Sequence, residues 1–111
     1  MVAETLLQRR ESARLERRLT LQADVRRQLR QALEVLIPGS HVWVFGSLTQ
    51  PGRFNDASDV DVALEGEPPG ISMGQLSSEL TERLARPVDV VLLRDCRFRS
   101  KITREGEMWT L

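Results

Sequence analysis

The first 36 residues of this 111-residue chain contain neither glycine nor proline. They are rich in Leu, Arg, Gln, Glu and Ala, all strong helix formers. Leu15, Leu19, Val25, Leu29, Ala32, Leu33 and Leu36 recur at mostly helical spacing, so one stripe can face a core while the arginines face water. Pro38-Gly39 then stops the helix. A third of the chain is thus committed to one long helix over residues 1–37, and residues 41–111 must supply everything it packs against. Its first turns, up to about Ser12, project beyond what a small sheet needs and are a candidate partner contact.

Three short apolar runs follow. HVWVF, residues 41–45, is β-branched and aromatic and stops at Gly46, the pattern of a buried strand entering a tight turn. In residues 60–64, Val60, Val62 and Leu64 point one way, while Asp59, Asp61 and Ala63 point the other. VDVVLL, residues 88–93, is a third strand with one acid, Asp89, among apolar neighbours. Between the last two, EGEPPG is a loop, and Ser72 with Gln75 matches a capping box. That box opens a helix through Met73, Leu76, Leu80 and Leu84, ending before Pro87. The tail carries Phe98, Ile102 and Met108 or Trp109 as anchors of a final short helix. The pattern predicts a single α/β (α+β) domain, a small mixed sheet covered by helices on one face.

Composition narrows the function classes. A hydrophobic content of 41% and a charged content of 29% are those of a globular protein. Net charge is zero, with eight arginines against five acids in residues 1–36 and the opposite imbalance beyond. A nucleic-acid partner is therefore not expected, since phosphate binding needs a concentrated cationic face. One cysteine, Cys96, excludes an internal disulfide and a multi-cysteine zinc site and fits a reduced, cytoplasmic setting. No run approaches the roughly 18 apolar residues of a membrane span.

The chemistry concentrates in residues 43–64. Side chains two apart on a strand share a face, so the carboxylates of Asp59 and Asp61 can converge on one cation. Hard oxygen ligands suit Mg²⁺ or Mn²⁺, which take one or two carboxylates together with substrate phosphates and water. Asp89 joins them as third ligand or base if its strand lies beside the 60–64 strand. Gly46-Ser47, at a strand end, offers backbone N–H groups and a hydroxyl to an anion, and glycine lets phosphates approach. Such a site fits phosphoryl or nucleotidyl transfer.

The order GS, spacer, DVD on a strand, then an Asp on a later strand resembles the minimal nucleotidyltransferases of the DNA polymerase beta-like superfamily. The similarity extends over "VWVFGSL", "GRF", "SDVDVAL", "RPVDVVLL" and "ITREGEMW", nearly the whole chain. The resemblance implies that Gly46 and Ser47 hold nucleotide phosphates, that Asp59 and Asp61 bind two Mg²⁺, and that Asp89 completes the metal site and helps activate the acceptor. It also implies an antitoxin paired with a HEPN-domain RNase toxin, transferring AMP from ATP to a tyrosine of that toxin. This chain has no tyrosine of its own. Two other readings share the motif: an antitoxin acting by binding alone, and an aminoglycoside-type small-molecule transferase, for which the chain has no room for an acceptor domain. Family members commonly have ten residues between the Ser and the first Asp, with an Arg soon after GS. Here there are eleven, Pro51 looks inserted, Gln50 stands near the usual Arg, and Arg53 is the candidate substitute.

Other eye-catching residues have plainer roles. Asp56 reads as a turn residue and His41 as a surface or cap residue. Cys96, Trp43 and Trp109 read as packing groups, and the basic residues from Arg94 to Arg104 as a solvated helix face.

Overall fold

The structure, a computed structural model, describes residues 5–111. The part of the expected 1–37 helix ahead of Thr5 lies outside the described residues. Helix α1 spans Leu6–Leu36. Its N-terminus closes with a capping box: the Gln8 amide donates to Thr5 Oγ1 at 3.1 Å, and the Thr5 amide donates to Gln8 Oε1 at 2.8 Å. At the other end the Ile37 amide donates to the Leu33 carbonyl at 2.8 Å, and Pro38 prevents a further turn.

Only the second half of α1 is a core helix. Gln22, Val25, Leu29, Ala32 and Leu33 are buried, whereas Leu15 and Leu19, expected in the same stripe, are 48% and 41% exposed. Length explains the difference. A 31-residue helix runs about 46 Å, while five-residue strands span about 17 Å. The overhang contributes to a longest dimension of 58 Å.

Strands β1 (His41–Phe45), β2 (Val60–Leu64) and β3 (Val88–Leu92) and helix α2 (Met73–Leu84) form where the periodicity places them. The Ser72/Gln75 capping box is present on α2. The tail differs from expectation. Helix α3 is confined to Arg99–Glu105 with Ile102 as its buried anchor, and Phe98 is 67% exposed. Met108 and Trp109 belong instead to a fourth strand, β4 (Glu107–Thr110), with Trp109 buried and Met108 exposed.

The strands form one mixed sheet in the order β3-β2-β1-β4. β1 is antiparallel to both β2 and β4, and β2 is parallel to β3 through the α2 crossover. Val42, Val44, Val60, Val62, Leu64, Val88 and Trp109 face α1 and α2 and form the main core with Leu29, Leu33, Phe54, Leu76 and Leu80. Arg26 and Arg30 lie over the Trp109 ring at 5.4 and 4.6 Å, and Arg26 pairs with Glu107 at 2.7 Å, tying α1 to β4. The opposite face is only partly covered. Ala63, Leu93 and Ile102 make a small second cluster there with Trp43, Phe45 and Cys96. The acids of β2 and β3 lie on this second face. Among the described residues no helix is long and apolar enough to cross a membrane.

Candidate active site

The candidate site assembles where β1 ends and β2 and β3 begin. β1 leads through Phe45 into a 3₁₀ turn, Gly46–Thr49. Gly46 enters it at φ +78°, in the left-handed region that favours glycine. The Thr49 hydroxyl donates to the Gly46 carbonyl at 2.9 Å, and the Gln50 amide donates to the Ser47 carbonyl at 3.1 Å. From below, the buried Gln22 of α1 donates from Nε2 to the Leu48 carbonyl at 2.7 Å, with Leu48 itself fully buried. The turn is thus fixed both internally and to the long helix.

Strand register brings the acids to this turn. Phe45 pairs with Asp61 across β1 and β2, and Asp61 pairs with Asp89 across β2 and β3. Register partners share a face, and Asp59, two residues before Asp61, shares it too. Asp59 stands one residue ahead of β2 rather than on it. Asp59 and Asp89 are exposed and Asp61 is half-buried. Contact with the turn is close: a Cβ on Gly46 would lie 2.6 Å from Asp61 Oδ2. Glycine is therefore required twice, by its φ and by this approach.

Electrostatics single out Asp61. Burial pushes its carboxyl above the ordinary 3.8, and the negative charges of Asp89 and Asp59 push it further the same way. Among the described residues no arginine or lysine forms an ion pair with any of the three acids. Hard oxygen donors carrying uncompensated negative charge are the donor type of Mg²⁺ and Mn²⁺. The three carboxylates are nevertheless not gathered round a single point, since among the described residues no three His, Cys, Asp or Glu side chains form a group that could hold a metal ion. The expected three-ligand set of Asp59, Asp61 and Asp89 is therefore not preassembled. A cation here would draw its remaining ligands from a substrate's phosphates and from water.

The other residues singled out from sequence fall into place. Arg53 is exposed in the turn after Pro51, with its amide donating to the Gln50 carbonyl at 3.1 Å. Gly52 of the same turn touches α1, where Arg18 reaches its carbonyl at 3.5 Å. Asp56 is exposed in the 55–58 turn, and His41 is an exposed strand residue whose Nδ1 lies 3.2 Å from Thr110 Oγ1. A broad groove between α1 and residues 55–57, lined by Arg14, Arg17, Arg18 and Asp56 among others, includes none of the three acids.

Sequence reasoning missed Gln22 and Arg86. Gln22 carries a signal, since it is a polar residue three positions before Val25 and in register with the core stripe. Arg86 carries none, because its partners lie 28 and 31 residues away.

No protein-family model matches the chain, and no curated protein matches it. Among solved structures it is similar to a chain of the crystal structure of a toxin–antitoxin with AMP-PNP. The two are 25% identical with a TM-score of 0.59, over 77% of this chain and 73% of that one. At that coverage the likeness is one of fold rather than of a single motif.

Proposed function

We propose that this chain is the antitoxin of a toxin–antitoxin pair and a Mg²⁺-dependent nucleotidyltransferase that moves AMP from ATP to a tyrosine of a HEPN-domain RNase partner. The observation that carries the reading is the contact between the Gly46 turn and Asp61, which puts that glycine turn and a row of carboxylates side by side. The similarity to a toxin–antitoxin structure holding an ATP analogue supports both the nucleotide and the partner.

In this reading the Gly46–Thr49 turn binds phosphate oxygens through backbone N–H groups and the Ser47 hydroxyl. Asp59 and Asp61 would hold Mg²⁺, with Asp89 as the further carboxylate of the set. Bound Mg²⁺ supplies charge neutralisation on the phosphates and on the departing pyrophosphate. The phenolic oxygen of the acceptor attacks the α-phosphorus, the bond to the bridging oxygen breaks, and pyrophosphate leaves. Asp89 accepts the phenolic proton. Arg53, exposed on the turn where the family carries an arginine earlier, offers a positive charge to the outer phosphates. Asp59 and Asp89 are solvent-exposed, which suits an acceptor delivered on another protein's surface rather than a small molecule held in an enclosed pocket.

A second reading, neutralisation by binding alone, is favoured by one observation: no three-acid group is preassembled among the described residues. Incubating the chain with its toxin, Mg²⁺ and ATP labelled in the α-phosphate separates the two. Label on the toxin that disappears in the Asp59→Asn, Asp61→Asn double variant is expected. No label, or equal label from the double variant, overturns catalysis while leaving stable toxin binding as the mark of the second reading.

A further inference from the structure

Arg86 occupies the link between α2 and β3, directly after the left-handed Ala85 that caps α2 and before Pro87. Its guanidinium reaches the loop ahead of β2. It lies 4.7 Å over the ring of the fully buried Phe54, and its Nη1 donates to two carbonyls, those of Asn55 at 3.2 Å and Ser58 at 2.9 Å. Nε is buried with no hydrogen-bond partner, a cost accepted to hold the group in this position.

The two carbonyls belong to the two ends of one turn. Within it the Ser58 amide donates to the Asn55 carbonyl at 3.0 Å, the Asn55 amide to Ser58 Oγ at 3.0 Å, and the Ala57 amide to Asn55 Oδ1 at 2.9 Å. These bonds make the turn compact but do not attach it to the domain. Arg86 does, and the next residue of its own link completes the attachment: the Val60 amide donates to the Pro87 carbonyl at 3.0 Å. Asp59 is the one residue between these anchors. Its preceding carbonyl is held by Arg86 and its following amide by Pro87, while its own side chain is exposed.

From this geometry we infer that Arg86 is a positioning residue that fixes Asp59 relative to Asp61 by clamping the 55–58 turn. The inference rests on the reading of Asp59 and Asp61 as cation ligands. Asp61 needs no such device because it sits inside β2 and is aligned by two strand neighbours. Asp59 lies before the ladder begins, so without a clamp its carboxylate would sample a range of directions. Arginine suits the task because a planar cation can lie on an aromatic ring and donate to two acceptors at once, which a lysine ammonium does less well.

The experiment compares the wild-type chain with Arg86→Lys, Arg86→Met and, as a control, Arg83→Met, whose residue makes only a surface pair with Glu79. Two quantities are read: Mn²⁺ binding in the presence of a non-hydrolysable ATP analogue, and amide hydrogen exchange over residues 55–60. Expected is a loss of Mn²⁺ affinity of about 10-fold or more in Arg86→Lys, the usual effect of removing support behind a metal ligand. Faster exchange should be confined to residues 55–60, with α1 and the remaining strands protected as in the wild type. Arg83→Met should match the wild type in both. If Arg86→Met unfolds, Arg86→Lys carries the test. Unchanged Mn²⁺ affinity in a folded Arg86→Lys, or exchange that rises uniformly over the domain, overturns the positioning role. Absence of Mn²⁺ binding by the wild type would instead sink the functional reading, and exchange at residues 55–60 would still decide whether Arg86 holds Asp59.

Discussion

Replacing Gly46 by alanine tests the closest contact in the candidate site. At φ +78° the residue is in the left-handed region, where a side chain costs about 1–2 kcal/mol. The new Cβ would also lie 2.6 Å from Asp61 Oδ2 and 3.5 Å from its Cγ, so the carboxylate must swing away. Forcing that side chain off its rotamer adds about 0.5–1.5 kcal/mol. Together these give about 2–3 kcal/mol, a fall in Tm of about 10 °C for a domain of this size. Gly39→Ala is the matched control, because Gly39 has φ +79° but no atom within 4 Å of the Cβ position. It should show the backbone cost alone, about 1–2 kcal/mol. Thermal and urea melts followed by circular dichroism measure both. Combining Gly46→Ala with Asp61→Ala should recover the collision term, a coupling of about 0.5–1.5 kcal/mol. Equal costs for Gly46→Ala and Gly39→Ala, or strict additivity with Asp61→Ala, would refute the reasoning, since the turn and Asp61 would then not be in contact.

Other substitutions test the surroundings of the site. Gln22→Ala removes the shorter of two donors to the Leu48 carbonyl and leaves Arg26 Nη1 at 3.4 Å beneath the turn, for a loss of about 0.5–1.5 kcal/mol in a urea melt. Asp61→Asn should raise Tm at neutral pH while abolishing label transfer. The folded-state pKa of Asp61 is raised, so its ionisation lowers stability as pH rises above 3.8, and the advantage of the variant should vanish at lower pH. Glu107 behaves in the opposite sense. The Arg26 hydrogen bond lowers its pKa below 4.5, so its contribution is present above that value and lost as pH falls through the lowered pKa. Because the pair is partly exposed, Glu107→Gln should cost no more than about 1 kcal/mol at pH 7 and nothing in strong acid, read from melts at both pH values.

Much of this architecture is legible in the sequence because it rests on local periodicity. The alternation in residues 60–64 already separates Asp59 and Asp61 from Val60 and Val62, and β2 follows it. Asp89 was conditional on strand order, and the parallel pairing of β2 with β3 puts it opposite Asp61. β4 was not legible. Four residues carry too little pattern to separate strand from helix, and what makes Glu107–Thr110 a strand is the free edge of β1 that it fills. The extent of α1 burial was hidden for a related reason, since the helix stripe continues past the point where the sheet ends. Gln22 and Arg86 act on carbonyls distant in sequence, and no local spacing encodes such partners.

The sheet has two open borders, β3 and β4, and β3 is treated unusually well. The Pro87 carbonyl points at β2, so the N–H and carbonyl of Val88 point outward from the sheet. Both are taken up by α2 hydroxyls: Thr81 Oγ1 accepts from the Val88 amide at 3.1 Å, and Ser77 Oγ donates to the Val88 carbonyl at 2.6 Å. An intruding strand therefore finds its first rung already occupied at the end of the sheet where the acids lie. Ser77 and Thr81 thus keep that end of the border from recruiting a neighbour's backbone.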